Sequence, residues 1–546
     1  MKFFLVVSII AISLNCNSQV LVKDINIGAT GSIPQSALKN IDDTLYFSAT
    51  DGINGSEFWK SDGSTSGTNM FYNINTIGTF NSFPNSFFKF NNHIYFSATT
   101  ASSGSELWVS DGSISGTILL KEINTGTASA NPSFYTVFNS QIIFQANDGV
   151  NGGELWISDG TNSGTTLLKD INPTPAIGSG PGNFIVVGNQ LFFTASDANG
   201  TELWKTDGTT LGTVMVKDIN TNPSTGSNPG SLIAFNNELY FSANDGVSGI
   251  ELWKSDGTPS GTILLKDIAV GTSTSSSSPA QLTVSGNTLY FKANDGVSGT
   301  ELWKTDGTAV GTILVKDINS SGNGLGSFAS YLFDYNGSLI FQANDGLTGL
   351  ELWKSDGTSS GTIQIKDINA GISDAMFTNT SSFINVNGIV YFIATDGVTG
   401  NELWKTDGTT IGTTRLTDIN SGINNSVIAG MAHINGVIYF WAEDGIVGRE
   451  LWKLDTSLPT GLNTNTNSTS FIIYPNPSNS IINVESLLAT DELINIYFSN
   501  TLGQVILSQS ISSKHTILNI QHLSSGVYFI KLNQKGKTTT VKFIKE

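Results

Sequence analysis

Carboxylates are the side chains that recur at fixed spacing and could do chemistry. Each of nine Asp-Gly-Thr-like segments has one Asp: Asp62, Asp111, Asp159, Asp207, Asp256, Asp306, Asp356, Asp407 and Asp455. A second series follows Asp51, Asp148, Asp197, Asp245, Asp295, Asp345, Asp396 and Asp444. Calcium takes about six to eight oxygen ligands, more than one loop offers. We therefore predict that these carboxylates cap backbone N–H groups of their turns, with calcium binding as the alternative.

Other catalytic constellations are absent from the sequence. The four histidines, His93, His433, His515 and His522, form no His-Glu-x-x-His zinc motif. Neither a Gly-x-Ser-x-Gly elbow nor a phosphate-binding loop occurs. Paired carboxylates stay open, because acidic residues pair in space rather than in sequence. We assign no catalytic, cofactor-binding or metal-binding residue, and we expect a protein that is not an enzyme.

The carboxylates recur because the chain itself repeats. The motif Glu-Leu-Trp-x-x-Asp-Gly-Thr, seen at residues 251–258, returns nine times with small changes. Its tryptophans are Trp59, Trp108, Trp156, Trp204, Trp253, Trp303, Trp353, Trp404 and Trp452, spaced 48 to 51 residues apart. A fixed period of this size indicates stacked, nearly identical structural units.

Each repeat contains four short strand signals. In one repeat these are residues 231–236, 238–243, 251–255 and 262–268, which are rich in Leu, Ile, Phe, Tyr and Trp. Asn-Asn, Asn-Gly and Asp-Gly pairs separate them, as in hairpins. Four strands per unit of this length are typical of a β-propeller blade, so we predict an all-β fold.

The two ends of the repeat region predict how the propeller closes. Residues 20–26 are a fourth strand without a preceding unit, and residues 450–455 are a third strand without a following one. Pairing them completes a ninth unit and leaves no free sheet edge. We therefore predict a β-propeller of nine four-stranded repeats over residues 19–456, closed by the N-terminal strand. Division into two smaller rings is the alternative.

Two side-chain roles are predicted within the repeat. Leu252 and Trp253 point to opposite faces of a sheet that neighbours cover on both sides, so both are expected in the core. If Ser255 pairs with Thr262, then Glu251 lies opposite Lys266. Opposite charges that face each other across two strands stabilise the pair by about 0.2–1 kcal/mol, so we expect this pair to fix the hairpin register.

Charge and loop composition limit the partners. The chain has 26 Lys and Arg residues and 44 Asp and Glu residues. Its net charge of -18 argues against nucleic-acid binding. The connections between repeats vary most and are rich in Ser, Gly, Asn and Pro, for example residues 221–230 and 269–279. Binding sites usually lie on such loops, so we expect a glycan or protein ligand there.

The N-terminus carries an export signal. Residues 1–18 have one lysine followed by an apolar run that is too short for a transmembrane helix. We predict cleavage after Ser18, which makes Gln19 the first mature residue. The only cysteine, Cys16, would leave with this segment, so disulfides are not expected, and its lipidation is the less favoured alternative.

Composition changes again near the C-terminus. Residues 457–470 are polar and uncharged, which predicts a flexible linker. Residues 471–546 contain six lysines and four acidic residues, a net charge of 6 − 4 = +2. Their short alternating segments predict a small β-sandwich.

The motifs of the two regions resemble two known families. The nine-fold Glu-Leu-Trp-x-x-Asp-Gly-Thr resembles the ELWxxDGT repeat of secreted bacterial proteins, and its loop looks like the Asp-box of sialidase-type propellers with different spacing. Residues 471–546 resemble the type A C-terminal sorting domain of the type IX secretion system in Bacteroidetes-like bacteria. The matching residues are Tyr474-Pro475-Asn476-Pro477-Ser478, Leu502-Gly503-Gln504, Leu523-Ser524-Ser525-Gly526-Val527-Tyr528 and the end at residues 541–545.

These resemblances imply a location and no activity. The sorting domain implies export by the type IX machinery through residues 471–546, followed by release or attachment to the cell surface. We expect a secreted or cell-surface β-propeller that acts as a binding or structural module. An extracellular polysaccharide hydrolase or lyase, with its site on the face of the variable loops, is the alternative.

Overall fold

The computed structural model describes residues 19–545 with internal gaps. The gaps are residues 33–36, 223–224, 272–274, 322–323, 377–382, 457–470, 475–477, 479, 487–493, 501–503, 512–514 and 535–536. The predicted signal segment 1–18 with Cys16 and Ser18, the predicted linker 457–470, and Pro475, Asn476, Pro477, Leu502 and Gly503 of the sorting motifs therefore lie outside the described residues. The chain divides into two compact units, Met1–Thr456 and Ser457–Glu546.

The described residues of the first unit form nine four-stranded antiparallel sheets and no helix. The chain begins with β1 (Gln19–Lys23), and the next sixteen strands make four sheets. Sheet 1 is β2 (Lys39–Ile41), β3 (Thr44–Thr50), β4 (Ser56–Ser61) and β5 (Asn69–Tyr72); sheet 2 is β6 (Asn85–Phe90), β7 (His93–Thr100), β8 (Gly104–Ser110) and β9 (Ile118–Lys121). Sheet 3 is β10 (Ser133–Phe138), β11 (Gln141–Asn147), β12 (Gly153–Ser158) and β13 (Thr166–Lys169); sheet 4 is β14 (Gly182–Val187), β15 (Gln190–Asp197), β16 (Gly200–Thr206) and β17 (Val214–Lys217).

The remaining five sheets repeat this pattern. Sheet 5 is β18 (Gly230–Phe235), β19 (Glu238–Asn244), β20 (Ile250–Ser255) and β21 (Ile263–Lys266); sheet 6 is β22 (Ala280–Ser285), β23 (Thr288–Asn294), β24 (Thr300–Thr305) and β25 (Ile313–Lys316). Sheet 7 is β26 (Ser330–Tyr335), β27 (Ser338–Asn344), β28 (Leu350–Ser355) and β29 (Ile363–Lys366); sheet 8 is β30 (Ile384–Val386), β31 (Ile389–Ala394), β32 (Glu402–Thr406) and β33 (Thr414–Arg415). Sheet 9 is β34 (Ala429–Ile434), β35 (Val437–Glu443), β36 (Arg449–Asp455) and β1.

Local sequence explains the hairpins of each sheet. In sheet 5, Asn236 and Asn237 take φ values of 50° and 61° in the turn between the first two strands, a conformation that Asn accepts at low cost. The second strand, β19, is buried along most of its length rather than on alternate residues. Both of its faces are therefore covered, as expected for a sheet packed between two others.

Nine hydrophobic clusters form the core of the first unit, and each joins two sheets that follow one another. Trp253 of sheet 5, for example, packs with Val216 and Ile219 at the end of sheet 4. Eight of the nine repeat tryptophans are buried and Trp452 is half-buried, which confirms their predicted place in the core. The cluster containing Val22 and Phe47 joins sheet 9 to sheet 1.

The two ends of the first unit meet in sheet 9. Strand β1 pairs antiparallel with β36, and Val20 lies opposite Lys453. This is the pairing predicted from the incomplete units at residues 20–26 and 450–455. Lys23 Nζ also donates to the carbonyl oxygen of Thr68 in sheet 1 at 2.6 Å, so the N-terminal strand contacts two sheets.

The predicted pairing of Glu251 with Lys266 is wrong. The register begins as expected, with Lys254 opposite Ile263, but a bulge between Leu252 and Trp253 brings Lys266 opposite Leu252. The Glu251 side chain is fully buried, whereas Lys266 Nζ donates to the carbonyl oxygen of Thr312 in the next sheet at 2.7 Å. The extra residue of the bulge shifts every pair beyond it, and a period of two cannot reveal such a shift.

The second unit consists of two antiparallel sheets. Their strands are β37 (Phe471–Tyr474), β38 (Ile481–Ser486), β39 (Ile494–Ser499), β40 (Val505–Ile511), β41 (His515–Asn519), β42 (Gly526–Gln534) and β43 (Lys537–Lys545). One sheet has the order β37-β38-β41 and the other β40-β39-β42-β43. Ile482 and Val484 of the first sheet share one core with Phe498 and Ile530 of the second. Within the described residues of the chain, no helix is long and apolar enough to cross a membrane.

Candidate functional site: the face of the 2–3 loops and connections

Three kinds of loop surround the sheets of the first unit. We call the loop between the second and third strands of a sheet the 2–3 loop, and the loop between its third and fourth strands the 3–4 loop. The segment that leads from one sheet to the next is the connection. The connection lies against the 2–3 loop, since Ala176 N donates to Val150 O at 3.0 Å, and the two together form one face.

The 3–4 loop is held together by its Asp and Thr. The carboxylate Oδ1 of Asp256 accepts hydrogen bonds from Thr258 N at 2.8 Å and from Thr258 Oγ1 at 2.7 Å. Thr258 Oγ1 in turn accepts from Gly261 N at 2.9 Å. The hydrogen bonds from Thr258 lower the pKa of Asp256, and the bond from the hydroxyl has a larger effect than the bond from the backbone. The predicted turn-capping role is confirmed here and in the seven other loops of this type.

The second series of Asp residues also caps backbone groups. In sheet 5, Asp245 Oδ1 accepts from Val247 N at 2.8 Å and from Ser248 N at 2.7 Å. Each of the other seven Asp residues of the series accepts a hydrogen bond from the backbone N–H two positions later. Among the residues that the structure describes, no group of three or more His, Cys, Asp or Glu side chains could hold a metal ion.

Exposed aliphatic side chains project from the tips of the 2–3 loops. The residue two positions after the capping Asp is Ile, Val or Leu in seven sheets and is 68% to 81% exposed. These residues are Ile53, Val150, Val247, Val297, Leu347, Val398 and Ile446. The Asp cap fixes the backbone N–H of the same residue, for example Leu347 N on Asp345 Oδ1 at 2.8 Å. Each tip is therefore held rigidly in solvent, where an aliphatic side chain gains nothing for folding.

Four of the exposed apolar side chains meet in one cleft of about 250 Å³. Leu325 and Phe328 come from the connection between sheets 6 and 7, Leu347 from the 2–3 loop of sheet 7, and Ile372 from the connection after it. Their side chains are 51% to 85% exposed. A cleft lined by converging apolar groups on a rigid scaffold is our candidate functional site.

The glutamates of the repeat motif have perturbed pKa values, but they are buried. Burial raises the pKa of all nine repeat glutamates, to about 7 for Glu106 and Glu450 and to about 8 for Glu351. Such shifts often mark catalytic carboxyls. Here the glutamates are 0% exposed, so no substrate reaches them and their role is structural.

Each buried glutamate ties a connection to its sheet. Glu251 Oε2 accepts from Ile268 N at 2.8 Å, where β21 ends, and Oε1 accepts from Ser277 N at 2.8 Å, just before the next sheet. Ser277 Oγ donates to Oε2 as well, at 2.5 Å. The glutamates of sheets 2 and 7 lack this hydroxyl because Ala130 and Ala375 occupy the serine position. This role was not predicted, although a Ser recurs 24 to 26 residues after most of the glutamates.

The other residues singled out from the sequence lie apart from the cleft. Gln19, the predicted first mature residue, begins β1 and pairs with Leu454. His93 Nδ1 contacts Asn91 O at 2.9 Å, and His433 Nε2 accepts from Gly436 N at 2.9 Å, so each histidine serves its own turn. The cleft itself was not predicted, because the connections were expected to be polar.

Comparison with solved structures gives distant matches. One is PorZ, a surface component of the type IX secretion system of Porphyromonas gingivalis, at 12% identity and a TM-score of 0.34, covering 93% of this chain and 75% of that one. Another is a puromycin-hydrolysing peptidase of Mycobacterium tuberculosis, at 10% identity and a TM-score of 0.37, covering 78% of this chain and 61% of that one. The chain thus spans less than two thirds of the length of this peptidase.

A comparison with curated proteins gave no match. A family model gave one, and it covers residues 472–546, the part of the chain that contains strands β38 to β43. The family is described as the secretion system C-terminal sorting domain, and it indicates export out of the cell, either into the medium or onto the cell surface. The C-terminal residues 472–546 are therefore a sorting domain of the type IX secretion system.

Proposed function

We propose that the nine sheets of residues 19–456 form one closed β-propeller of ELWxxDGT repeats. Two observations support this proposal. The N-terminal strand β1 pairs with β36, so the first and last repeats share a sheet. The nine hydrophobic clusters link the sheets in order, and one of them links sheet 9 to sheet 1. A closed ring leaves no sheet edge free for aggregation, which suits a protein that works outside the cell.

The propeller acts as an extracellular binding module, and the face of the 2–3 loops and connections is its binding face. The observation that carries this proposal is the cleft of Leu325, Phe328, Leu347 and Ile372. These side chains contribute little to the core while they are exposed, and they gain free energy only when a ligand covers them. The repeated sheets hold the cleft rigid, so binding costs little conformational entropy.

A binding assay on two matched variants tests this function. In the first, Leu325, Leu347 and Ile372 are replaced by Ser; in the second, Leu211, Val310 and Ile411 of the 3–4 loops are replaced by Ser. The second set is more exposed, at 89% to 92% against 57% to 85% for the first, and lies outside the proposed face. The purified protein and both variants are applied to glycan and peptide arrays. We expect the bound ligands to be lost with the first variant alone, and equal binding by all three proteins would contradict the assignment of this face.

A further inference from the structure

We infer that the cleft of Leu325, Phe328, Leu347 and Ile372 binds a polypeptide whose apolar side chain enters the cleft and whose Lys or Arg residues meet the surrounding carboxylates. This inference rests on the proposed binding function and specifies its ligand class. It follows from four features of the site: converging apolar side chains, polar side chains that take part in turns, a uniform charge and a fixed geometry.

Phe328 is a bulky residue in a left-handed backbone conformation. Its φ is 54°, in the region that bulky residues avoid. The equivalent residues in six other connections also have positive φ values, from 44° to 57°; they are Phe83, Asn131, Gly180, Asn228, Ser278 and Val427. Because Phe83 and Val427 share this position, the conformation belongs to the repeat. What distinguishes Phe328 is its place beside Leu325, Leu347 and Ile372 in one cleft, where a ligand can cover all four side chains.

Two of the polar side chains that line the cleft take part in turns. Asn319 Nδ2 donates to Gly326 O at 2.9 Å, and Asn344 Oδ1 accepts from Gly346 N at 2.7 Å. Sugar hydroxyls need several hydrogen-bonding partners, whereas three of the four apolar side chains of the cleft, those of Leu325, Leu347 and Ile372, are aliphatic. An apolar side chain of a polypeptide can cover the cleft without breaking these two hydrogen bonds.

The loops around the cleft carry charge of one sign. The described residues 295–299, 317–321, 324–329, 345–349 and 367–376 contain Asp295, Asp317, Asp345, Asp367 and Asp374, with no Lys or Arg. Asp317, Asp367 and Asp374 are exposed. This arrangement attracts a basic partner and repels an acidic one, which selects against a second copy of this net-negative chain.

The geometry of the cleft is fixed before a ligand arrives. Leu350 N donates to Asp374 Oδ1 at 2.7 Å, which ties the 2–3 loop to the connection beside Ile372. Gly349 lies so close to this connection that a Cβ atom there would be 2.6 Å from Ser373 O. The two walls of the cleft are therefore joined by direct contacts, and an extended segment with one apolar anchor suits them.

Selection from a peptide library tests the inference. Random twelve-residue peptides displayed on phage are selected on the immobilised full chain, and enriched peptides are synthesised for titration. We expect them to combine Lys or Arg with Leu, Ile, Val or Phe. We expect at least tenfold weaker binding to the variant with Leu325→Ser, Leu347→Ser and Ile372→Ser and unchanged binding to the variant with Leu211→Ser, Val310→Ser and Ile411→Ser. Affinity should also fall as NaCl rises from about 0.05 M to about 0.5 M, because salt screens the exposed carboxylates.

Three results would overturn the inference. They are a failure to enrich peptides, enriched peptides without basic residues, and equal weakening by the two variants. Glycan binding that the cleft variant alone abolishes, without peptide enrichment, would overturn the polypeptide ligand while it upheld the binding face. Unchanged melting temperatures of both variants verify that the substitutions leave the fold intact.

Discussion

The backbone N–H of Ile25 donates to Oε2 of Glu450 at 3.0 Å, although 425 positions separate the two residues in the sequence. Asn26 N donates to the other oxygen of the same carboxylate at 3.2 Å. Inside the repeat region, Glu251 accepts from Ile268, only 17 positions later. Glu450 thus accepts hydrogen bonds from the N-terminal segment, whereas the glutamates of the other repeats accept them from the connections that follow their own sheets.

Glu450→Ala should destabilise the N-terminal strand more than any other element. The substitution leaves the buried N–H of Ile25 without an acceptor, at a cost of about 1–3 kcal/mol, and the partly buried N–H of Asn26 at a smaller cost. Hydrogen exchange of the Leu21 and Val22 amides should accelerate in this variant. The matched change Glu251→Ala should lower the melting temperature by a similar amount without affecting these two amides. Equal exchange at β1 in both variants would contradict the role of Glu450.

Ala375→Ser should stabilise the protein. Ala375 N donates to Leu350 O at 3.0 Å, and in the preceding repeat Ser327 N donates to Thr300 O at the same distance. The backbone is therefore already placed so that a new hydroxyl reaches Glu351, as Ser327 Oγ reaches Glu301 Oε2 at 2.6 Å. Because the raised pKa keeps the Glu351 carboxyl mostly neutral near pH 7, the new hydrogen bond should contribute about 0.5–1.5 kcal/mol. Denaturant titration should show the gain for Ala375→Ser and a loss for Ser327→Ala. No gain for Ala375→Ser would mean that the serine hydroxyl does not stabilise the buried glutamate.

Glu351 should make stability fall as pH rises. Burial, assisted by Asp367 and Asp374, raises its pKa from an ordinary 4.5 to about 8, so the folded chain holds this proton more tightly than the unfolded chain. The stabilising contribution is complete below pH 4.5 and is lost as pH rises through about 8. Between about pH 5 and about pH 8, the free energy of unfolding should fall in the wild type. In Glu351→Gln this fall should be smaller, and the difference should be on the order of 2 kcal/mol. Parallel pH profiles of the two proteins would refute this.

The spacing of the repeats predicts much of this architecture. Trp253, Asp256 and the Ser255–Thr262 hairpin lie where that spacing places them, because turn chemistry and apolar patterning are local. Lys266 does not, since a bulge between Leu252 and Trp253 shifts the pairing and is invisible in the apolar pattern. In the sequence, Glu251 looks like one partner of a surface ion pair with a lysine. Its burial is explained only by the backbone N–H groups of the connection, which donate hydrogen bonds to its carboxylate.

The candidate site was predictable in location but not in character. Variable loops on a repeated scaffold pointed to the connections, and Phe328 and Ile372 lie there. Their convergence with Leu347 depends on how two consecutive connections pass the same 2–3 loop, which sequence separation hides. The aliphatic residues at the tips of the 2–3 loops recur in the sequence as Ile, Val or Leu after Asp-Gly. Only the structure shows that they are exposed, which makes them candidates for ligand binding.

Trp253→Ala should destabilise the first unit by about 3–5 kcal/mol, as large-to-small substitutions in a core do. The indole is 6% exposed and packs against two sheets, so its loss opens a cavity between them. The matched substitution Trp452→Ala should cost less, because that ring is only half-buried. Urea unfolding followed by circular dichroism measures both, and equal costs would mean that burial does not decide the effect.

Asp256→Ala should lower the stability of the folded protein, and the loss should not depend on calcium. The carboxylate holds Thr258 through two hydrogen bonds, and the loss of a turn cap of this kind costs about 1 kcal/mol. Because the same oxygen accepts both bonds, Asp256→Asn keeps an acceptor in place and should cost less. Thermal melts of the wild type and both variants, with EDTA and with added calcium, measure the effect. A melting temperature that chelation lowers in the wild type and not in Asp256→Ala would show that this loop binds calcium.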